Sequence, residues 1–404
     1  MITLYLDSSD YSNMADQSNR QAQDIAEQLQ AWIRSGKIEI PFSSVHIVEC
    51  AHVDKPSKSM ALKRMRMIDS LSNGKCFKWW IELMLLEEIA AAKSETLPID
   101  YAKSDNGQWF PTLRRDEREL RNWLVSSIKE GLISAGLNRQ NRRLLMKHLI
   151  QNRRLTDSAV KMLKPNRQEL LKSFADRYPL SERFYKEDLL VRWLTGQVPF
   201  EEVTVEIEKA FADLQVFIGW IYETYDPEKK LTRWLRASGG KLAEDLEALR
   251  VKVDQFTSSA ASLGMTQKTI NLRLRQSVNL ETRRSTALWQ QFDSNLERLK
   301  KEQVDRSMWQ SKVVNSPCGS IPSLDALLNA MAQYVMESAL PSSTRRRLKR
   351  SDAGDLYHMT YIPYVDAFRC DEFASTIARS VAQSFGTKII EKFVDLPKLM
   401  GEAT

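Results

Sequence analysis

Four acidic side chains stand where a metal-binding site is expected. Asp7 ends the apolar run ITLYL, and Asp371 ends the short segment DAFRCD. Glu49 lies in the otherwise apolar stretch SSVHIVECAHV, and Asp355 lies near the start of GDLYHMTYIPYV. Four carboxylates held together repel one another and cannot all remain ionised without cations. Because Mg²⁺ and Mn²⁺ prefer such oxygen ligands, we expect one of these ions if the fold unites the four acids.

The N-terminal segments predict the elements that would position Asp7 and Glu49. ITLYLD and KIEIPFS are short and rich in β-forming residues, so each predicts a strand. Between them, residues 16–36 carry apolar side chains at helical spacing and close on Gly36. SSVHIVECAHV predicts a second helix, capped by Ser43 or Ser44. This order of strand, helix, strand and helix is typical of an α/β sheet.

The C-terminal segments return to the same alternation. GDLYHMTYIPYV predicts a helix that ends near Pro363, and EFASTIARSVAQSFG predicts a helix closed by Gly386. DAFRCD and TKIIEKF predict strands. If the strands ending at Asp7 and Asp371 are parallel neighbours, both acids emerge at one sheet edge, and the helix bearing Asp355 opens onto it.

The long middle of the chain predicts helices throughout. Apolar residues recur at helical spacing from about residue 77 to about 345, and no convincing strand is found there. We therefore predict an α/β fold whose parallel sheet is split in sequence by a large all-α insertion. The expected parts are 1–76, 77–345 and 346–404.

Composition narrows the class of protein. The 404-residue chain is 43% hydrophobic, and no window approaches 18 uninterrupted apolar residues, so no membrane contact is expected. Its four cysteines never form a CxxC pair, which argues against a disulfide framework and against a thiolate zinc site. We expect a cytoplasmic protein.

Charge is distributed unevenly along the chain. Residues 1–50 hold three basic and seven acidic side chains, residues 351–404 hold five and eight, and residues 51–350 carry a net charge of +14. Acidic ends beside a basic middle suit a metal-dependent enzyme that acts on a polyanion. Basic side chains are densest at 137–155 and 344–350. Two interpretations of these runs stay open, a phosphate-binding surface and a helix face that is simply solvated. The second run leads into the acidic site, so we expect phosphate contacts from Arg345, Arg346, Arg347, Lys349 and Arg350.

The order YLDSSDYS, IPFSSVHIVECAH and GDLYHMTYIPYVDAFRCDEF resembles the PIN-domain nucleases. In that family an Asp after the first strand, a Glu or Asp on an early helix and two later Asp form a metal-binding acidic pocket. The resemblance covers about 1–75 and 350–395. It implies a three-layer PIN-like sheet and a catalytic, metal-binding quartet of Asp7, Glu49, Asp355 and Asp371.

Other residues near the quartet remain open as contributors. Ser9 stands where the family often has a small polar residue. The third segment also offers Asp352, and the fourth also offers Asp366. His358 follows Asp355 by three residues and is the histidine expected to touch the site. The Thr-x-Asp that family members usually carry reads Arg-Cys-Asp here.

The resemblance implies a reaction. Metal held by the quartet would activate water to hydrolyse a phosphodiester bond of single-stranded RNA, as an endoribonuclease does, leaving a 3′-hydroxyl and a 5′-phosphate. The alternative is a non-catalytic RNA- or protein-binding module on a degenerate PIN-like scaffold. Phosphoryl transfer of the haloacid-dehalogenase type is disfavoured, because Ser9 stands where its second Asp would be and Asp10 comes one residue later. We expect RNA as partner, with the insertion offering surface to a protein or a second copy, in a setting such as a toxin or phage-defence effector.

Overall fold

A computed structural model gives the architecture of the chain. It describes residues 1–400 apart from the following segments: 52–57, 105, 111–116, 152–153, 157, 160, 162–166, 225–243, 245–246, 249, 275–298, 315–319 and 340–351. The structure is α/β, and most described residues are helical. The predicted α/β class is therefore confirmed.

Eight short strands are described. In chain order they are β1 (Ile2–Tyr5), β2 (Ile38–Glu39), β3 (Cys76–Phe77), β4 (Lys103–Ser104), β5 (Ile150–Gln151), β6 (Arg154–Leu155), β7 (Ala367–Arg369) and β8 (Lys388–Ile390).

The α-helices with defined bounds are numbered in the same way. They are α1 (Ser8–Ala15), α2 (Arg20–Arg34), α3 (Ser44–Cys50), α4 (Lys58–Ser72), α5 (Trp80–Lys93), α6 (Glu117–Ser134), α7 (Arg139–Leu149), α8 (Arg167–Ala175), α9 (Glu182–Lys186), α10 (Leu189–Thr195), α11 (Phe200–Ala212), α12 (Leu214–Thr224), α13 (Arg306–Met308), α14 (Pro322–Ala339), α15 (Asp352–Met359) and α16 (Glu372–Ala382). A π-helical turn covers Trp309–Val314, and 3₁₀ turns cover Ile362–Tyr364 and Phe393–Met400.

One four-stranded parallel sheet joins the two ends of the chain. Its strand order is β2-β1-β7-β8. The central pair is β1 with β7, in which Leu4 lies opposite Ala367 and Tyr5 opposite Phe368. Leu4, Tyr5, Ala367 and Phe368 are all buried, as strands in the middle of a parallel sheet require.

The chain divides into two compact units. The first contains 1–109 and 225–404, and the second contains 110–224. The second unit therefore lies within the predicted insertion of 77–345, whereas α5 and β4, which belong to the same stretch, are part of the first unit with the sheet.

The prediction that 77–345 is all-α is wrong in detail. Strand β4 pairs with β3, and β5 pairs with β6, both antiparallel. Each of these strands has only two residues, which is too short for alternation of apolar and polar side chains to distinguish it from a loop. In addition, no helix within the described ranges is long and apolar enough to cross a membrane.

Aromatic packing fixes the sheet against the surrounding helices. Tyr5 stacks on Phe368 with ring centroids 5.0 Å apart and on Tyr361 at 5.7 Å. Its hydroxyl lies 2.6 Å from Ser43 Oγ and 2.6 Å from His358 Nδ1. Thus one buried side chain joins β1 to the start of α3 and to α15, and both of these helices carry predicted site residues.

Two adjacent glutamates on α5 are buried in the first unit. Glu87 accepts hydrogen bonds from the Ser323 amide at 2.9 Å and from the hydroxyls of Tyr101 and Tyr364. Glu88 is fully buried and accepts one from Trp309 Nε1 at 2.8 Å. Burial, reinforced by the neighbouring Glu87, raises the pKa of Glu88 to about 8. Glu88 is therefore protonated at neutral pH.

The substitution Glu88→Gln is expected to stabilise the protein at high pH only. Between about pH 4.5 and pH 8 the folded state holds a proton at Glu88 that the unfolded state releases, so stability falls as pH rises through this range. Gln has no such proton and can still accept from Trp309. We expect little difference at pH 5 and a gain on the order of 2–4 kcal/mol at pH 8, measured by denaturant unfolding.

The matched control is Glu182→Gln. Glu182 is an exposed glutamate, paired with Lys186, that should show no pH-dependent difference from the parent. A Glu88→Gln gain that does not grow between pH 5 and pH 8 would contradict a protonated Glu88.

Candidate functional site

The carboxyl ends of β1 and β7 open onto one cleft. Asp7 follows β1 and is the N-cap of α1, and Asp371 follows β7 and is the N-cap of α16. Because the two strands are parallel neighbours, both acids lie at the same sheet edge. The lining of the cleft is Tyr5, Asp7, Asp355, His358, Met359, Phe368, Arg369, Cys370, Asp371 and Ala374. Three of the four predicted quartet members therefore line a single cleft.

The two cap residues are held by short-range hydrogen bonds. Asp371 accepts from the Ala374 amide at 2.7 Å, which satisfies one of the unpaired donors at the start of α16. Asp7 accepts from the Ser9 hydroxyl at 2.5 Å, so Ser9 touches the predicted ligand. The Asp7 amide donates to Asp10 Oδ2 at 3.0 Å. Local sequence thus fixes the direction in which both carboxylates leave the sheet.

Glu49 reaches the site through His358. His358 Nε2 on α15 lies 3.4 Å from Glu49 Oε2 on α3. Burial works to raise the pKa of Glu49, but His358 outweighs it and holds that pKa at about 2. In the same way, burial opposes charge on His358, while Glu49 and Asp7 bring its pKa above the usual value. Glu49 is therefore ionised near neutral pH, with an imidazole beside it.

Asp355 is a carboxyl of the cluster that burial and the neighbouring acids make harder to ionise. Burial raises its pKa to about 7, and the charges of Glu49, Asp7 and Asp371 add to this, while His358 opposes them. Although Glu49 does not line the cleft, its charge therefore acts on the same carboxyl as the other two acids. All four predicted quartet residues belong to one electrostatic cluster.

Gly354 makes room for Glu49. A Cβ atom at this helical position would overlap Glu49 Oε1. The absent side chain lets α15 approach α3 closely enough for His358 to meet the Glu49 carboxylate. Sequence reasoning missed this residue, although a glycine inside a helix, directly before a candidate ligand, is a signal of close approach.

Sequence reasoning also missed a buried ion pair beneath Asp7. Arg369 Nη2 lies 2.9 Å from Asp10 Oδ1, and Arg369 Nη1 lies 4.0 Å from Asp7 Oδ2. Asp10 is the third residue of α1, a position from which a carboxylate caps the start of a helix. It does accept the Asp7 amide, but it is fully buried, and burial raises its pKa to about 7 despite the Arg369 charge. An arginine within a strand expected to be buried was the available signal, because buried guanidinium groups need partners.

The remaining predicted residues lie elsewhere. Asp366 precedes β7 rather than following it, and its Oδ2 accepts the Thr3 amide at 2.7 Å, so it is not in the cleft lining. Asp352 is the first residue of α15, and its side chain lies outside the described atoms. The predicted phosphate-contacting residues, Arg345, Arg346, Arg347, Lys349 and Arg350, also fall outside the described residues.

The donor set fits a hard divalent cation in its chemistry. The cleft presents carboxylate oxygens of Asp7, Asp355 and Asp371, and such oxygens are the ligands that hard divalent cations prefer. As the side chains stand, no three His, Cys, Asp or Glu residues in the described part of the chain converge to hold one ion. Ser9, Ala374 and His358 already engage the carboxylates of Asp7, Asp371 and Glu49.

Comparisons with known proteins do not identify a function for the site. No protein-family model matches this chain, and neither curated proteins nor solved structures give a significant match. The structural basis for a function is therefore the acidic cleft itself.

Gly354→Ala is expected to displace the Glu49 carboxylate and so lower the pKa of His358. Alanine favours a helix over glycine by about 0.5–1 kcal/mol, but the added Cβ occupies the position of Glu49 Oε1. With Glu49 moved away, burial of the His358 imidazole is opposed by the smaller effects of Asp7 and Asp355. Titration of the histidine resonances by NMR measures this pKa.

Gly131→Ala is the matched control. Gly131 is also helical, and nothing lies within 4 Å of its ideal Cβ position. It should stabilise the protein by about 0.5–1 kcal/mol and leave His358 unchanged. Equal His358 titration curves in the parent and in Gly354→Ala would show that the close approach of Gly354 to Glu49 is not what positions the pair.

Proposed function

We propose that this chain is a metal-dependent endonuclease with a PIN-like site, acting on single-stranded RNA in the cytoplasm. The observation that carries the proposal is the cleft at the ends of β1 and β7. Asp7, Asp355 and Asp371 come from three separate segments and line it together, and the charge of Glu49 acts on Asp355. A half-buried carboxyl whose pKa is raised by burial and by neighbouring acids, as that of Asp355 is, is a feature of functional sites.

Each acid has a role in this proposal. Asp7, Glu49, Asp355 and Asp371 would hold Mg²⁺ or Mn²⁺, which supplies an activated water and neutralises charge that develops on the phosphate. His358 Nε2 faces Glu49 and keeps that carboxylate ionised. Tyr5 in turn fixes the imidazole through Nδ1. The protein thus orients its carboxylates through a chain of buried hydrogen bonds.

A basic groove on the second unit supports RNA as the substrate. It lies between α6 and α7, and its lining is Lys129, Ile133, Arg139, Gln140, Arg142, Arg143, Leu144, Met146 and Lys147. Five of these side chains are cationic and none is acidic. On α7, Arg139, Arg143 and Lys147 are spaced by four residues, so they form a stripe that rises about 6 Å per step. Exposed Ile133 and Leu144 add apolar surface on which bases can lie.

Buried thiols agree with the proposed compartment. Cys50, Cys76 and Cys370 are all buried thiols in the described chain. Such thiols persist in a reducing environment such as the cytoplasm.

A non-catalytic RNA-binding module is the second candidate. It is favoured by the lack of three converging ligands in the described residues and by the basic side chains of Arg369 and His358, which already face the acids. In this form the α6–α7 groove would bind RNA, and binding would survive substitution of the acids.

Asp7→Asn is expected to reduce Mn²⁺-dependent cleavage of labelled single-stranded RNA at least about a hundredfold. Asparagine caps a helix as well as aspartate does, so α1 should be retained while one ligand charge is lost. Gel analysis of cleavage, with and without chelator, measures the effect. Asp16→Asn is the control, because Asp16 is an exposed acid outside the cleft. Cleavage that is unaffected by chelator, or cleavage by Asp7→Asn equal to that by the parent, would favour the second candidate.

Loss of positive charge in the groove is expected to weaken RNA binding and to make that binding less dependent on salt concentration. The double variant Arg143→Gln/Lys147→Gln should lower the slope of log K against log salt by about 1.4, because each phosphate contact contributes about 0.7 for a single strand. Fluorescence anisotropy across a salt series measures the slope. Lys186→Gln is the control, since Lys186 is already paired with Glu182. An unchanged slope in the double variant would exclude the groove from RNA contact.

A further inference from the structure

We propose that the cleft takes a single divalent cation and that the buried guanidinium of Arg369 supplies the second positive charge of the site. This inference rests on the proposed metal-dependent function and concerns the number of ions. It assigns a role to Arg369 and to Asp10, neither of which belongs to the acidic quartet.

Arg369 is a buried cation that is only partly paired. Its side chain is 8% exposed and lines the cleft together with Asp7, Asp355 and Asp371. Nη2 pairs with Asp10, but Nε and Nη1 are buried and have no hydrogen-bond partner among the described residues. A buried donor without an acceptor costs roughly 1–3 kcal/mol. These unpaired donors lie at the wall of the cleft, where the positive charge of Arg369 acts on the acids.

The position of Arg369 conflicts with a second ion beside Asp7. Enzymes that use two metals hold them about 3.5–4 Å apart, usually with a carboxylate between them. Here Arg369 Nη1 already lies 4.0 Å from Asp7 Oδ2. Because a guanidinium stays protonated at every physiological pH, its repulsion of a nearby cation is permanent.

The acids that line the cleft are where one ion is needed. Asp7, Asp355 and Asp371 come together there, and the carboxylates that Arg369 approaches are those of Asp10 and Asp7. The cavity within the cleft has a volume of about 10 Å³, which is room for about one water molecule or one small ion. The charge of the cleft lining and the size of the cavity therefore both favour a single small cation.

Asp10 is the positioning residue of this arrangement. It holds Arg369 Nη2 at 2.9 Å and is itself fixed by the Asp7 amide. The same short segment that provides the first acid of the site thus also anchors the arginine. The pair is buried, so solvent does not screen it as it would a surface ion pair.

Mn²⁺ binding to the full chain without nucleic acid tests the inference. Titration followed by electron paramagnetic resonance counts free and bound Mn²⁺ and requires no activity. We expect one bound ion per chain for the parent. Arg369→Met should bind a second ion, or bind the first at least about tenfold more tightly, because a fixed positive charge has been removed.

Arg369→Lys is the matched control, since it keeps the charge and should still bind one ion with an affinity within about threefold of the parent. If Arg369→Met does not fold, Arg369→Met/Asp10→Asn removes both members of the buried pair and should change Mn²⁺ binding in the same direction. Thermal unfolding of each variant checks the fold.

Three results would overturn the inference: two ions bound by the parent, no ion bound by the parent, or Mn²⁺ binding unchanged in both charge-removing variants. The outcome is separable from the proposed function. One bound ion with the expected response to Arg369→Met, but no RNA cleavage, would reject the nuclease and retain the single-ion site.

Discussion

Parallel pairing of β1 with β7 is the constraint on which the site depends. The two strands are more than 360 residues apart in sequence, yet Tyr5 lies opposite Phe368 and their rings stack with centroids 5.0 Å apart. Burial of these large side chains, together with the backbone ladder, is what brings the ends of the chain together. Because both strands run in the same direction, Asp7 and Asp371 leave the sheet at one edge. The placement of the acids around the cleft therefore depends on this register.

The buried and half-buried acids of the first unit have different kinds of partner. Glu49 is balanced by an imidazole, and Asp10 by a guanidinium. Glu87 and Glu88, away from the cleft, receive only neutral donors such as tyrosine hydroxyls and an indole N–H. Neutral donors satisfy a carboxyl without cancelling its charge, which is why burial raises the pKa of Glu88 to about 8. Asp355 lies between these cases, because most of its charged neighbours are acids.

One aromatic residue links packing to electrostatics. Tyr5 fills the space between β7, α3 and α15, and its hydroxyl also meets Ser43 and His358. His46, on the same helix as Glu49, accepts the Ser43 amide at Nδ1 and therefore donates through Nε2 to the Leu6 carbonyl. Burial lowers the pKa of His46 to about 3, so it is a neutral core residue. The pKa values of the two histidines are thus shifted in opposite directions, and His358 is the one whose ring nitrogen faces a carboxylate directly.

Local patterns in the sequence determined the element types and the placement of several acids. Short segments with the residue types of strands marked β1, β7 and β8, and the cap positions of Asp7 and Asp371 follow from residues next to them. The α/β class follows from the same local signals, whereas two-residue strands such as β4 and β5 give too little pattern to detect. The PIN-like arrangement and its metal stay proposals.

Tertiary structure alone decided which acids meet and what compensates them. The sequence favours Asp371 and leaves Asp366 as an alternative, and in the structure Asp371 follows β7 into the cleft, while Asp366 binds the Thr3 amide at the other end of the strand. The pairing of Asp10 with Arg369 and the contact of Gly354 with Glu49 each join residues more than 300 positions apart. A sequence specifies its local hydrogen bonds through neighbours along the chain. Charge compensation in a buried site depends on distances in space, which only the packed fold sets.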